Sequence, residues 1–498
     1  MGIIRKQSLR SSVVTYIGFA IGALNAVLFN KFVPAEVYGL TRIFFSSSLI
    51  FYAFASFGTA TLLNKFYPYY RDYLPLKQRD LFGIVLIVSM VGFLLVTAGT
   101  IIFEGLIHRK YQLAPLFLQY FYLLYPFAFF YMLFTLFENF SYNHYRSVFP
   151  IFLKEVTLRA VTTILIVLMV AGLFSSVQFI YAFSCLYAVI FIALIIYLRK
   201  ERTLQFSFKT SSVTRRLAYR MTTFNLWIFG GSVFVAVQQN LDSILITSTN
   251  GLVGTAVLEF NTYVSNVIQV PQRSMIAIAV PILAKAWKDK DMEQIQRIYT
   301  RSSMTMLIFS ILIFMLIWLN LESVYHILDL NPVYWTGRYI ILFYGLGRIV
   351  ELGAGVNGQI IGTSDMWRFD FVSNLVLIAL SIPLNYYFIK TLGINGPGIA
   401  QLIAISVFTI IRFTFLLRRY KMQPFSLKTL YVVLLGIAGW LVCAWLVTPE
   451  NHYLRVILRS AIFAGIFLLP ILVFGWSQDV TESWHKGLAL VRKYWQKK

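Results

Sequence analysis

Several ionisable side chains stand inside long apolar stretches of this chain, among them Arg42, Arg273, Arg348, Asp242, Glu259 and Glu351. A charge at the centre of a hydrocarbon layer costs about 2.5–3.5 kcal/mol on insertion scales, so such a group faces a partner or a wet interior rather than acyl chains. Spacing indicates which helix faces are involved. Glu259, Asn266 and Arg273 are seven residues apart, and seven residues return a helix to nearly the same side. Tyr263 and Gln269 share that side. Asn225, Ser232, Gln239 and Asp242 line a second helix, and Arg348 and Glu351 stand one turn apart on a third. Ser11, Thr15, Gly18, Gly22 and Asn25 repeat at steps of four and three, with Lys31 beyond. Arg42 heads a small-to-polar stripe with Ser46, Ala53 and Ser56. Guanidinium groups hold phosphate oxygens bidentately. Arg42 and Arg273, with Lys31 and Arg348 nearby, therefore suit a phosphate-bearing cargo, and Asn25, Gln239, Asn266 and Gln269 join them as candidate substrate-binding residues. The competing reading is helix packing through small and polar residues. It fits the first stripe as well as a cavity does. Arg348 and Glu351 also read as a simple pair, and Glu155 and Arg159 as a local i, i+4 ion pair.

The elements that must position these groups follow from hydropathy. Of 498 residues 58% are hydrophobic and 13% charged, and the mean hydropathy is +0.72. Fourteen apolar spans of about 20 residues, the first at 11–33 and the last at 454–475, are each long enough to cross a ~30 Å core as a helix. Of the 43 Lys and Arg, 31 fall in alternate gaps and tails and 7 in the others, which puts both termini in the cytoplasm by the positive-inside rule. The formal net charge of +23 is spread over many short loops, with no domain to hold a basic groove, so no nucleic-acid partner is expected. The basic residues sit instead beside anionic headgroups of membrane lipids.

Residues 1-200 read as an N-terminal six-helix lobe, 201-220 as a cytoplasmic linker, 221-420 as a C-terminal six-helix lobe, and 421-498 as two additional transmembrane helices and a cytoplasmic tail. The lobes look repeated. Val37-Tyr38-Gly39-Leu40 matches Leu252-Val253-Gly254-Thr255, and Pro68 matches Pro281, at offsets of 215 and 213 residues. The expected fold is an all-α polytopic membrane protein with about 14 transmembrane helices in two pseudo-symmetric six-helix lobes plus two C-terminal helices. Cys185 and Cys443 lie inside spans and are expected as small buried residues. No metal-ligand cluster, Walker sequence or outer catalytic loop is present in the sequence, so neither a metal, ATP chemistry nor an enzyme is expected.

The fourteen spans, the two halves and a glycine-bearing turn after the first span resemble the multidrug/oligosaccharidyl-lipid/polysaccharide (MOP) exporter superfamily. Two stretches resemble its O-antigen and polysaccharide flippases (Wzx-type): Phe32-Val33-Pro34-Ala35-Glu36-Val37-Tyr38-Gly39-Leu40, and Leu392-Gly393-Ile394-Asn395-Gly396-Pro397-Gly398-Ile399-Ala400 between spans eleven and twelve. The resemblance implies a V-shaped bundle of the bacterial inner (cytoplasmic) membrane that moves undecaprenyl-diphosphate-linked oligosaccharide from the cytoplasmic to the periplasmic leaflet by alternating access, for cell-surface polysaccharide synthesis. It implies that Arg42, Arg273 and Arg348 engage the pyrophosphate or acidic sugars. From the related drug exporters it implies that buried acids, here Asp242, Glu259 and Glu351, serve H⁺ or Na⁺ coupling, with no other cofactor. The implied partners are the lipid-linked oligosaccharide, membrane lipids, a polysaccharide polymerase and glycosyltransferases. The alternative is an ion-coupled multidrug exporter of the same superfamily, which an aromatic content of 17% keeps open. A third reading is a lipid scramblase without vectorial transport.

Overall fold

The computed structural model describes residues 2–482. The tail assigned to the cytoplasm, 483–498, lies outside them. Every regular element among the described residues is helical. Ten helices are long and apolar enough to cross a membrane, or eleven if the bent pair Pro332–Gly353 and Asn357–Thr363 is one span. Two of the ten are too long for a single crossing. Ser212–Arg273 has 62 residues and Arg368–Tyr420 has 53, whereas a ~30 Å layer takes roughly 20 at about 1.5 Å per residue. Each is broken. Gly251 adopts φ 70° and ψ −170°, a region that residues with a Cβ rarely enter. Gly393–Asn395 forms a 3₁₀ turn between Trp367–Leu392 and Gly396–Tyr420. Val148–Phe152, a π-turn at Leu153–Thr157 and Leu158–Val170 run on as one further pass. Resolved in this way, the described helices follow the fourteen spans laid out by hydropathy.

Helix ends are set by local chemistry. Ser175 and Gln178 form a capping box, Asp291 accepts from the Gln294 amide, and Asn451 accepts from the Tyr453 and Leu454 amides. Each satisfies an orphan N–H at a helix start.

Packing divides the chain into two compact units, Met1–Phe260 and Asn261–Lys498. In a bilayer, apolar side chains gain little by meeting each other rather than lipid, so close approach, ring packing and polar contacts hold helices together. In the first unit Phe127 packs against Phe45 (5.2 Å between ring centroids), Phe183 (5.8 Å) and Tyr187 (5.2 Å). The seventh pass, assigned by sequence to the second lobe, packs within this unit. Its Thr214 hydroxyl lies 2.7 Å from the Tyr70 hydroxyl, Phe224 packs on Phe66, and Phe229 on Phe57 at 4.8 Å. The second unit has one core around Ile268, Phe314, Ile360 and Leu416. Another, around Ile308, Ile311, Phe463 and Phe467, seats the last two helices.

The matched motifs occupy matched places. Pro68 and Pro281 both lie inside helices, Thr59–Tyr73 and Val270–Lys288. Gly39 lies near the start of Ala35–Ala55, and Gly254 just after the Gly251 break. The two motifs also touch: a Cβ on Gly39 would stand 2.0 Å from the Leu252 carbonyl oxygen, so any side chain there would force the two backbones apart. Cys443 is buried as expected, whereas Cys185 is exposed. It sits at the joint between Ser176–Ser184 and Leu186–Lys200, where the change of helix turns it outward.

Candidate functional site

Arginines within the apolar passes sort by their partners. Arg159 pairs with Glu155 at 2.8 Å and donates to the Gly18 carbonyl. Arg348 pairs with Glu351 at 2.8 Å. Arg412 pairs with Asp370 and donates to the Ser373 hydroxyl at 3.0 Å. Arg459 donates to the Val447 and Leu319 carbonyls, both at 2.9 Å. Arg42 and Arg273 have no carboxylate partner among the described residues.

Arg42 is set by the second helix, Ala35–Ala55, in the first unit. Its guanidinium carbon lies 5.0 Å from the centre of the Phe45 ring, 5.1 Å from Tyr38 and 5.8 Å from Phe29. Ring faces attract a cation, by about 0.5–2 kcal/mol each depending on desolvation, so the aromatic well offsets part of the hydration that Arg42 loses. Its Nε donates to the Thr41 hydroxyl at 3.3 Å, and the half-buried group has no other hydrogen-bond partner among the described residues. The rings hold the charge without consuming its terminal N–H donors, and those donors suit a second acceptor with paired oxygens. Arg273, on Val270–Lys288 in the second unit, is exposed.

The second unit also contains a compact polar network. Glu351 accepts from Arg348 and, at 3.2 Å, from the Gln269 amide, while Arg348 donates to the Asn266 side-chain Oδ1 at 3.1 Å. Four sequence-assigned residues thus meet, with the Arg348 Nε left buried and without an acceptor. The charges largely neutralise one another, so this cluster offers an anion less than Arg42 does.

The remaining candidates are more dispersed. Asn25 is buried and spent on packing. Its amide nitrogen donates to the Arg159 carbonyl at 2.8 Å, and its oxygen accepts from Thr163 at 2.6 Å. These bonds staple the first helix to the Val148–Val170 pass. Lys31 is exposed at its helix end, 5.8 Å from the Phe32 ring. Gln239 is exposed and Asp242 half-buried on the seventh pass. Glu259 is half-buried and accepts a hydrogen bond from the Ser243 hydroxyl.

Two polar constellations escaped sequence reasoning. Glu138 is buried and accepts from Tyr142 at 2.7 Å and from Lys154 at 3.2 Å. Beside it on the same helix, Asn139 and Asn143 bond to Asn64 at 3.2 and 2.7 Å. The other is the Arg412–Asp370 pair. A usable signal existed: an arginine within one span and acids within others invite pairing, because neither is stable alone in hydrocarbon.

Residues 4–287, more than half of the chain, match the family described as Polysaccharide biosynthesis protein. The chain belongs to this family. Among solved structures, this family member is similar to the lipid II flippase MurJ in its inward closed conformation, with a TM-score of 0.70 and 15% identity over 93% of this chain and 99% of that one. It is also similar to an inward-facing multidrug resistance MATE family transporter of the MOP superfamily, with a TM-score of 0.62 and 14% identity over 82% and 97%. A MATE transporter in complex with MaL6 follows at a TM-score of 0.54 and 16% identity over 82% and 95%. At such identities the likeness is one of fold. No curated protein matches the chain in sequence. Family and fold together make it a multi-pass membrane protein of the Polysaccharide biosynthesis protein family, with a fold similar to those of MurJ and the MATE transporters.

Proposed function

We propose that this protein is a flippase for undecaprenyl-diphosphate-linked oligosaccharide, working in the bacterial inner membrane by alternating access, with both termini cytoplasmic. One observation carries the reading: Arg42 keeps an accessible guanidinium inside the apolar passes with no acid to neutralise it, and Arg273 repeats the pattern in the second unit. The cargo poses a matching physical problem. Its diphosphate and sugar hydroxyls are expensive to strip of water, and its polyprenyl tail prefers lipid. A wet, cationic interior opening sideways to the bilayer lets the head cross while the tail stays in hydrocarbon. An inside-negative potential favours outward movement of an anion by about 2.3 kcal/mol per charge per 100 mV. The family match adds polysaccharide synthesis as the setting, in which a polymerase and glycosyltransferases are the natural neighbours.

The acids differ in their fitness for coupling. Glu351 is held by a guanidinium and an amide, both on its Oε2, so it is already engaged within its own cluster. Glu259 has a hydroxyl donor and no cationic partner among the described residues, so it is the acid we assign to H⁺ or Na⁺ coupling, with Asp242 as its companion on the seventh pass.

The test is transport of a fluorescent polyprenyl-diphosphate glycan in proteoliposomes. Arg42→Ala and Arg273→Ala are each expected to lower it about tenfold, the value of one charge-assisted contact, with unchanged elution on size exclusion. Full transport in both variants overturns the reading. The second reading, a drug exporter, rests on the MATE folds and the aromatic content. Drug efflux in a hypersensitive host, insensitive to Arg42→Ala, would favour it.

A further inference from the structure

We infer that the linker between the sequence halves builds a binding site for a phosphate-bearing lipid of the cytoplasmic leaflet, outside the transport path. The site is a groove of about 790 Å³ lined by Lys77, Phe137, Phe191, Arg199, Leu204 and Phe208, with Ile195, Gln205 and Phe206 completing it. Its volume falls within the roughly 300–1,000 Å³ usual for ligand sites.

The composition selects the ligand. The floor is aromatic and aliphatic, and two cations stand over it from separate elements, Lys77 in the 3₁₀ turn Leu76–Gln78 and Arg199 at the end of Leu186–Lys200. Both are exposed, and neither has an acidic partner among the described residues. The nearest acid in sequence, Glu201, is already held by Arg146 at 2.7 Å, so it does not quench Arg199. Paired cations above an apolar floor complement one class of molecule, an anionic head on a hydrocarbon tail. The tail has a path, because Ile192 and Ile196 on the helix that supplies Phe191 and Arg199 are exposed, as suits a face turned to lipid.

The linker wall is fixed in place. Phe206 packs on Phe82 at 5.1 Å and on Phe140 at 6.2 Å. The Ser207 amide donates to the Arg79 carbonyl at 2.9 Å. Further along, the buried Asp80 carboxylate accepts from the Ser211 amide at 2.8 Å and the Thr214 hydroxyl at 2.6 Å. The Tyr70 hydroxyl meets that same Thr214, and burial holds the phenol neutral by pushing its pKa up to about 12. Against this anchored backbone Phe208 remains 61% exposed, an aromatic ring left open at the edge of the groove. The leaflet assignment rests on the charge bias that puts these loops in the cytoplasm, not on the identity of the transported cargo.

The experiment is native mass spectrometry of the full-length protein released from mixed micelles containing equal dioleoyl-phosphatidylglycerol and dioleoyl-phosphatidylcholine. Wild type is expected to retain phosphatidylglycerol selectively. The double variant K77Q/R199Q should lose that preference by roughly ten- to thirty-fold, since each basic residue near an anionic surface contributes about a factor of five. Phosphatidylcholine adducts should not change. R418Q/R419Q, which removes two exposed cations elsewhere, should retain the preference. Circular dichroism melting of each variant reads folding separately, and Phe191→Ala, which keeps both charges, should weaken retention of both lipids. Equal retention of the two lipids by wild type, or unchanged selectivity in K77Q/R199Q, overturns the inference.

Discussion

Arg42 and Arg412 each place a guanidinium inside a membrane pass against aromatic rings, but only Arg412 has an acid. Arg412 is 8% exposed, lies 4.0 Å from the centre of Phe408, and ties its helix to the preceding one through Asp370 and Ser373. Arg42 has three rings, one weak hydroxyl contact and no carboxylate. The first arrangement completes its own electrostatics and is structural. The second leaves a positive charge uncancelled, and an uncancelled charge in a low-dielectric setting is worth keeping only if something anionic visits it. The same contrast separates Arg348, paired with Glu351, from exposed Arg273. Counting arginines within spans therefore overstates the free cationic groups: Arg459 also lacks an acid, and backbone carbonyls take up its donors instead.

The comparison breaks most readily at Asp370. Asp370→Ala strands a buried guanidinium and should cost about 3 kcal/mol, read as a drop in the detergent melting temperature; an unchanged melt would mean that Arg412 does not need its partner. Arg42→Ala should do the reverse, lowering cargo transport about tenfold while costing less stability than Asp370→Ala, because it strands no buried charge. Arg42→Lys keeps the charge but loses the planar fork, so transport should recover only in part. Glu259→Gln should leave cargo binding intact and flatten the dependence of transport on a pH or Na⁺ gradient, a few-fold change in initial rate at most; retained gradient dependence would move coupling to another acid. The smallest effect belongs to Glu155→Gln. It removes an i, i+4 pair at partly exposed positions and should cost about 0.3–0.5 kcal/mol with transport intact.

Much of the fold was legible because one property, apolar length, dominates in a bilayer. The break at Gly251 falls in the gap between the seventh and eighth spans, and the turn at Gly393–Asn395 lies in the stretch that joins the eleventh to the twelfth. The Glu155–Arg159 pair was readable because its partners are one helical turn apart. Asn25 was not, because its partners lie more than 130 residues away and a polar stripe looks the same whether it meets a helix or water. The Asp370–Arg412 and Glu138–Lys154 pairs were hidden for the same reason. The docking of the linker was illegible too: Phe206 and Ser207 carry no periodic pattern, and their partners Phe82 and Arg79 lie more than 120 residues away, at the start of the helix Leu81–Ile102 and in the turn before it.

The meeting of Gly39 with the Leu252 carbonyl turns two matched turns into a mechanical stop. Because the gap there is narrower than a methyl group, any substituent at residue 39 acts as a shim that props the second helix away from the eighth pass. Graded replacement with Ala, Ser and Val would then set the spacing in steps, and a spin label on each side would read it as a calibrated distance.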